Sequence, residues 1–260
     1  MQADFGSQPN QSLIDGIAVL QALAISSEPV GCRELARRLN LEPTRVNRLL
    51  KTLAWLGFAT QTVRRKYQPG PGMTVLAAQS LFASSLIRKA LPSLGKLRRF
   101  GYTVAMGVLW RDNVSYIYHA PPGMSDADAL GRIGLYPATS GGIGMVLLAA
   151  LEERVVKSIY QGHEIPNYPN MKALLTDLAD IRKKSYVRLR VKTDVEQHTV
   201  AIAVGNPVHS AIGVSGWIPV ESTPTIVAAL RETAQEIEQA SQVSESDKDL
   251  LAPLLIRHAV

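Results

Sequence analysis

From Ser12 to Gly57 the apolar positions recur at helical spacing in three consecutive runs. In the third run Val46, Leu49, Leu50 and Leu53 fall at i, i+3, i+4 and i+7, one face of an α-helix. Arg45, Arg48 and Lys51 take the other side, with Asn47 beside them. The spacing predicts a helix over 44–56. Pro43 and Thr44 mark its start, because proline suits the first turn and threonine can cap it. Gly57 fits the C′ position, where positive φ is needed. A shorter run, roughly Arg33 to Leu39, buries Leu35, Ala36 and Leu39, and Asn40-Leu41-Glu42 is the turn between the two helices. A helix over about Ser12 to Ile25 precedes the pair, with Leu13, Ile14, Ile17, Leu20 and Leu23 as its apolar stripe.

After Gly57 the period changes. Phe58–Gln61 and Tyr67–Pro69 read as short strands around a basic tip, Val63-Arg64-Arg65-Lys66. Three helices followed by a basic ribbon predict a winged helix-turn-helix over 12–70. Its third helix would lie in the major groove. Arg45, Asn47 and Arg48 would face base edges, while Thr44, Lys51, Arg64, Arg65 and Lys66 would meet phosphates. Residues 1–11 are expected to be disordered. Pro69-Gly70-Pro71-Gly72 is a boundary, and an alanine-rich stretch then predicts a linker helix over 71–86. Its Val75, Leu76, Leu81, Phe82 and Leu86 could pack against a second subunit.

A second domain is expected over 87–243. A helix near Ala90–Phe100 comes first, then strand-like runs at Thr103–Trp110, Val114–His119, Thr199–Val204 and Ser210–Trp217. Arg111-Asp112-Asn113 and Gly205–His209 give hairpin spacings, so the sheet should be largely antiparallel. Helices near Gly144–Tyr160, Met171–Ser185 and Thr223–Ser241 would pack on it, which makes the chain α+β. Leu250, Leu251, Leu254, Leu255 and Ile256 suggest a helical tail over 244–260.

Charge sharpens this division. The 260 residues carry a net +6, but residues 1–99 hold 14 basic and 5 acidic side chains, and residues 100–260 hold 14 and 17. The positive half is the one with the helix-turn-helix, as expected for a nucleic-acid-binding domain joined to something else. The single cysteine, Cys32, allows no intramolecular disulfide, which fits a reducing compartment. No run approaches a membrane span and the N-terminus is polar, so a cytoplasmic location is expected. Ser140, Ser215, His119, His163, His198 and His209 form no nucleophile elbow, zinc-ligand spacing or phosphate loop. Catalysis, metal and cofactor are therefore not expected. A winged helix used for RNA or protein contacts is the other alternative to duplex DNA.

The residues also resemble a known family over nearly the full chain: the isocitrate lyase regulator (IclR) family of transcriptional regulators. The matching stretches are CRELARRLNLEPTRVNRLLKTLAWLGF with KYQPGPGM, then YIYHAPPG, GLYPATSGGIGMVLLAAL and AIGVSG. The resemblance implies a winged helix-turn-helix, a linker helix that helps dimerisation, and an effector-binding domain with a curved antiparallel sheet. It implies dimers or tetramers on operator DNA that repress or activate metabolic operons in response to small metabolites, often carboxylic acids. Met145 stands where the family often has lysine, and Arg188, Arg190 and Lys192 make a usually acidic loop basic, with Asp194 and Glu196 its remaining acids.

For the effector, Ser140-Gly141-Gly142 precedes a long apolar helix, where free N–H groups favour an anion. Thr199, Ser215 and His198 could add hydrogen bonds, and Tyr116, Tyr118, Leu130 and Met145 could form apolar walls; Asp194 joins this ligand set. Two alternatives stand beside these readings. Gly141-Gly142 could serve only close helix–sheet packing, and Arg188, Arg190 and Lys192 could be a solvated loop rather than a sign of a more anionic effector.

Overall fold

The computed structural model describes residues 9–131, 134–191 and 196–242. The chain divides into two compact units after Ser84. The expected tail over 244–260 and residues 1–8 of the expected disordered N-terminus lie outside the described residues, as do Lys192, Asp194 and the side chain of Phe82.

The first unit contains α1 (Gln11–Ala24), α2 (Cys32–Leu39), α3 (Pro43–Trp55), a ribbon of β1 (Ala59–Gln61) and β2 (Tyr67–Pro69), and α4 (Pro71–Ser84). Asn10 caps α1 by accepting from Leu13 N, so the helix starts inside the stretch expected to be disordered. Leu23, Leu35 and Leu50 are wholly buried in one core with Val19, Val46, Ala59 and Tyr67. Each such leucine contributes roughly 1.5–3 kcal/mol of transfer free energy.

Two sequence expectations change here. The buried stripe of α1 is Asp15, Val19, Ala22 and Leu23, whereas Leu13 and Ile17 are exposed. The inward row is therefore rotated by part of a turn, and it includes a carboxylate. At α3 the N-cap is Glu42, with Pro43 as the first helical residue, so Thr44 sits inside the helix and does not cap it. The turn residues behave as expected. Asn40 is left-handed at φ 51°, and Gly57 has φ 78°.

The root of α4 is seated on the chain just after α3. Gly70 N donates to Phe58 O and Gly72 N to Gly57 O, both at 2.9 Å. A Cβ on Gly70 would stand 2.3 Å from Gly57 O. Only glycine lets these backbones approach so closely. Along α4, Val75, Leu76 and Leu81 are about half exposed.

The second unit contains α5 (Leu86–Leu97), β3 (Thr103–Trp110), β4 (Asn113–Ala120), α6 (Asp126–Ala129), β5 (Leu135–Pro137), α7 (Gly142–Ala149), α8 (Glu153–Ile159), α9 (Met171–Lys184), β6 (Val187–Val191), β7 (Gln197–Val204), β8 (Ser210–Gly216) and α10 (Thr223–Gln242). The six strands form one antiparallel sheet, ordered β5-β4-β3-β8-β7-β6. One face packs Val104, Met106, Tyr118, Val200 and Ile212 against α5 and α10. The other packs Ala105, Val114, Ala201 and Ala211 against α7, and α9 lies on α7. The helix expected over 144–160 is interrupted between Ala149 and Glu153, giving α7 and α8. Residues 187–191, expected as loop, are the edge strand β6.

A bulge interrupts the β3–β4 ladder. Met106 pairs with Tyr118 but Gly107 pairs with Tyr116, so Ile117 is the extra residue. Side chains before and after it fall out of simple alternation, and this decides which of them reach the sheet's cavity.

Candidate functional site

Two places gather the polar residues singled out in the sequence, one in each unit. In the first, α3 exposes Thr44, Arg48 and Lys51, with Arg45 and Asn47 half-buried on the same helix. The ribbon turn carries Arg64, Arg65 and Lys66, all exposed. It is closed by Thr62 N donating to Lys66 O at 2.8 Å, and Arg65 is left-handed at φ 56°. Among the described residues, Arg48, Lys51, Arg64, Arg65 and Lys66 form no ion pair with a carboxylate.

Arg45 differs from these cations. Its Nε lies 2.5 Å from Asp15 Oδ2, too poorly aligned for a hydrogen bond but an ion pair by distance. Asp15 Oδ1 accepts from Gln11 Nε2 at 2.8 Å. Cys32 is also engaged: its thiol donates to Pro43 O at 3.4 Å, and partial burial pushes its pKa up, against a smaller opposing effect of Arg33. A neutral thiol in that position lacks the character of a redox sensor.

A broad, open hollow beside α2 has a volume of about 940 Å³. Its charges include Glu34, which pairs with Arg37 and Arg38 on the same helix, so it reads as solvated surface. The more enclosed cavity, about 410 Å³, lies in the second unit on the α7 face of the sheet.

Its floor is Ala105, Thr199, Gly213 and Ser215 from β3, β7 and β8, and its side is Tyr116, His119 and Tyr136. Ser140 and Gly141 close it at the start of α7. Asn167 Nδ2 donates to Ser140 Oγ at 2.9 Å, which leaves the serine proton free to be given to something else. Thr199 Oγ1 and Ser215 Oγ share a hydrogen bond of 3.1 Å, so one of their two protons is also available. Burial, then the nearby Tyr136, raises the pKa of Tyr116 and keeps its phenol a donor. Tyr116 meets His119 and Tyr136 edge-on, with ring centroids 5.8 and 5.9 Å apart. No lysine or arginine lines the cavity among the described residues.

Of the residues expected at the ligand, Ser140, Gly141, Thr199, Ser215 and Tyr116 line this cavity. Met145 is instead buried in the core behind it, its sulfur 3.8 Å from Tyr168 Oη, which donates to Asp177 at 2.8 Å. Tyr118 points through the sheet to the α5–α10 side and donates to Asp126 at 2.8 Å. Leu130 is bridged to Tyr118 and 41% exposed, away from the lining. Gly142 serves packing: a Cβ there would stand 2.9 Å from Thr199 Cγ2 and 3.1 Å from Val187 Cγ1. His198 alternates with Thr199, and Arg188 and Arg190 alternate with Leu189, which pairs with Thr199, so all three sit on the sheet's other face. Their charges therefore do not line the cavity. Sequence reasoning missed His119, Tyr136, Thr103 and Gln197. His119 reaches the cavity because the bulge puts it on the same face as Tyr116, three residues away.

Among the described residues no group of three His, Cys, Asp or Glu side chains is placed to hold a metal ion, and no helix is long and apolar enough to cross a membrane.

Comparison with known proteins adds to this geometry. Residues 78–239 match the family model "Bacterial transcriptional regulator IclR C-terminal", and residues 12–62 match the "IclR helix-turn-helix domain". The HTH-type transcriptional regulator KdgR of Escherichia coli (strain K12) is 32% identical over 194 residues, covering 71% of this chain and 73% of that protein. The crystal structure of an IclR transcriptional regulator from Alicyclobacillus acidocaldarius aligns over 90% of this chain and 100% of its own, at 24% identity and a TM-score of 0.69. An IclR homolog from Microbacterium hydrocarbonoxydans, solved in complex with 4-hydroxybenzoate, aligns over 90% of this chain and 100% of its own, at 20% identity and a TM-score of 0.67.

Proposed function

The chain belongs to the IclR family of bacterial transcriptional regulators, and from that premise we propose that it binds a palindromic operator as a dimer or tetramer under the control of a small carboxylic acid. Its relatives are regulators of transcription and not enzymes. The single observation that carries the effector reading is the end of the 410 Å³ cavity, where Ser140 and Gly141 bring donors to the N-terminus of α7. Ser140 is oriented by Asn167 to give its proton away. Such a site favours one negative charge through neutral donors and the helix end. Among the described residues no lysine or arginine lines the cavity, which suits one carboxylate better than a dianion. A monocarboxylic acid with a ring or short apolar body fits the aromatic side at Tyr116 and Tyr136. The Microbacterium relative's 4-hydroxybenzoate belongs to that class.

The DNA reading rests on α3 and the ribbon. Arg45, Asn47 and Arg48 would face base edges. Thr44, Lys51, Arg64, Arg65 and Lys66 would hold phosphates. One such unit binds weakly, so two are brought together, and the exposed Val75, Leu76 and Leu81 of α4 suit the dimer contact. The test is selection of duplexes from a random library by the full chain, followed by calorimetry with a panel of mono- and dicarboxylates. An inverted repeat should be enriched, and monocarboxylates should bind and change DNA affinity. A folded protein that enriches no duplex, or that takes no acid from the panel, would refute the corresponding half.

A further inference from the structure

Asp15 is a carboxylate in the inward row of α1, 4% exposed, in line with the buried Val19, Ala22 and Leu23. An unpaired buried charge costs several kcal/mol, so such groups persist where they are paired. Gln11 holds one oxygen from the preceding turn of the same helix, and the other lies 2.5 Å from Arg45 Nε in the first turn of α3. Arg45 itself is 41% exposed and makes no other ion pair or hydrogen bond among the described residues. The ion pair holds the Nε edge of the guanidinium against α1 without a hydrogen bond, and its two terminal nitrogens make none among the described residues. Among the described residues the other cations of the α3 face and the ribbon tip are not tied to a carboxylate.

We propose that Asp15 is a positioning residue for sequence reading: from within α1 it fixes Arg45 so that the guanidinium meets DNA as a preset fork. A fixed fork loses little freedom on binding and accepts only a matching pair of acceptors, such as the two on guanine. A mobile arginine would take any nearby phosphate. The pair carries no net charge, so Arg45 adds less to non-specific attraction than Arg48 or Lys51. This inference rests on the DNA-binding reading above, and its test separates the two.

The probe is the duplex that the wild-type full chain enriches from a random library, compared with its scrambled sequence. Asp15→Asn should lower the ratio of selected to scrambled affinity by about tenfold. It should also steepen the salt dependence by about 0.9 in log–log slope, because Arg45 becomes free for phosphates. In an Arg45→Ala background, Asp15→Asn should change the ratio no further. Arg45→Lys covers the case in which Asp15→Asn does not fold: it keeps the charge and lacks the fork, so discrimination should fall while scrambled DNA is still bound. The proposal is overturned by equal weakening on both duplexes, by an undiminished Asp15→Asn effect without Arg45, or by Arg45→Lys discriminating like wild type. Failure of the wild type to enrich any duplex would instead remove the DNA-binding reading itself.

Discussion

Gly144→Ala tests how tightly α7 is built into the second unit. Gly144 is the third residue of α7, and a Cβ there would stand 2.0 Å from Ala138 O and 2.6 Å from Ala138 C. These are backbone atoms in the turn before the helix. Ala138 cannot easily give way, because it is fully buried and its N–H donates to Asp112 O at 2.8 Å. Restoring an ordinary contact of 3.4 Å needs a shift of roughly 1.4 Å. That shift must come from α7, which carries Ile143, Val146, Leu147 and Leu148 into the core. Overpacking costs about 1–3 kcal/mol, and the rigid obstacle puts this site at or above the upper end. The helix gains up to about 1 kcal/mol from alanine. The expected net loss is about 2–3 kcal/mol. Urea denaturation followed by far-UV circular dichroism should show it in the transition of the second unit, with acid binding lost because Ser140 and Gly141 move. A loss below about 0.5 kcal/mol, or a gain, would refute the argument. Gly142→Ala is the control. It meets the Thr199 and Val187 side chains at 2.9 and 3.1 Å rather than backbone at 2.0 Å, and should cost less, about 1–2 kcal/mol.

Three further outcomes are expected. Ser140→Ala should weaken binding of a monocarboxylate by roughly 1–2 kcal/mol in calorimetry while lowering the thermal midpoint only slightly, since the hydrogen bond it loses from Asn167 is exposed. Arg48→Ala should weaken binding to the selected duplex by about 1–3 kcal/mol in fluorescence anisotropy, and more than to scrambled duplex. His209 has its pKa lowered from 6.5, chiefly by burial, with Glu238 partly opposing. The unfolded chain therefore takes the proton first. Stability should be full above pH 6.5 and fall as pH drops from there toward the lowered value. Denaturation curves between pH 7.5 and 5, flattened in His209→Gln, would check it.

The helix-turn-helix was legible because three amphipathic periods with Asn40 and Gly57 at their breaks leave little else for the chain to form. The direction of α1 was not. Leu13 and Ile17 make as good a stripe on paper as Val19 and Ala22, and the partner that permits Asp15 inside is Arg45, thirty positions away. In the sheet, β3, β4, β7 and β8 announced themselves as paired runs around short turns. Val187–Val191 alternates equally well, but its two arginines read as loop until the neighbouring strand β7 is present to pair with it. Ser140, Gly141, Thr199 and Ser215 were found from residue chemistry. Tyr118 was misplaced and His119 overlooked for one reason: the bulge at Ile117 changes which side of the strand faces the cavity, and a bulge leaves no clear mark in a single sequence.

The seating of Gly70 and Gly72 on Gly57 has a mechanical consequence. The fourteen residues of α4 are about 21 Å of stiff rod. Their root is tied to the chain just after α3 by two backbone hydrogen bonds. The first unit should therefore act as the jaw of a calliper whose handle is α4. Turning the handle by about 10° sweeps a point about 20 Å away through about 3.5 Å. That is close to the rise of one base pair, about 3.4 Å. In a pair of such jaws the operator's half-site spacing would be set by the angle at which two handles cross, and a turn of about 10° would be enough to place a recognition helix one step out of register.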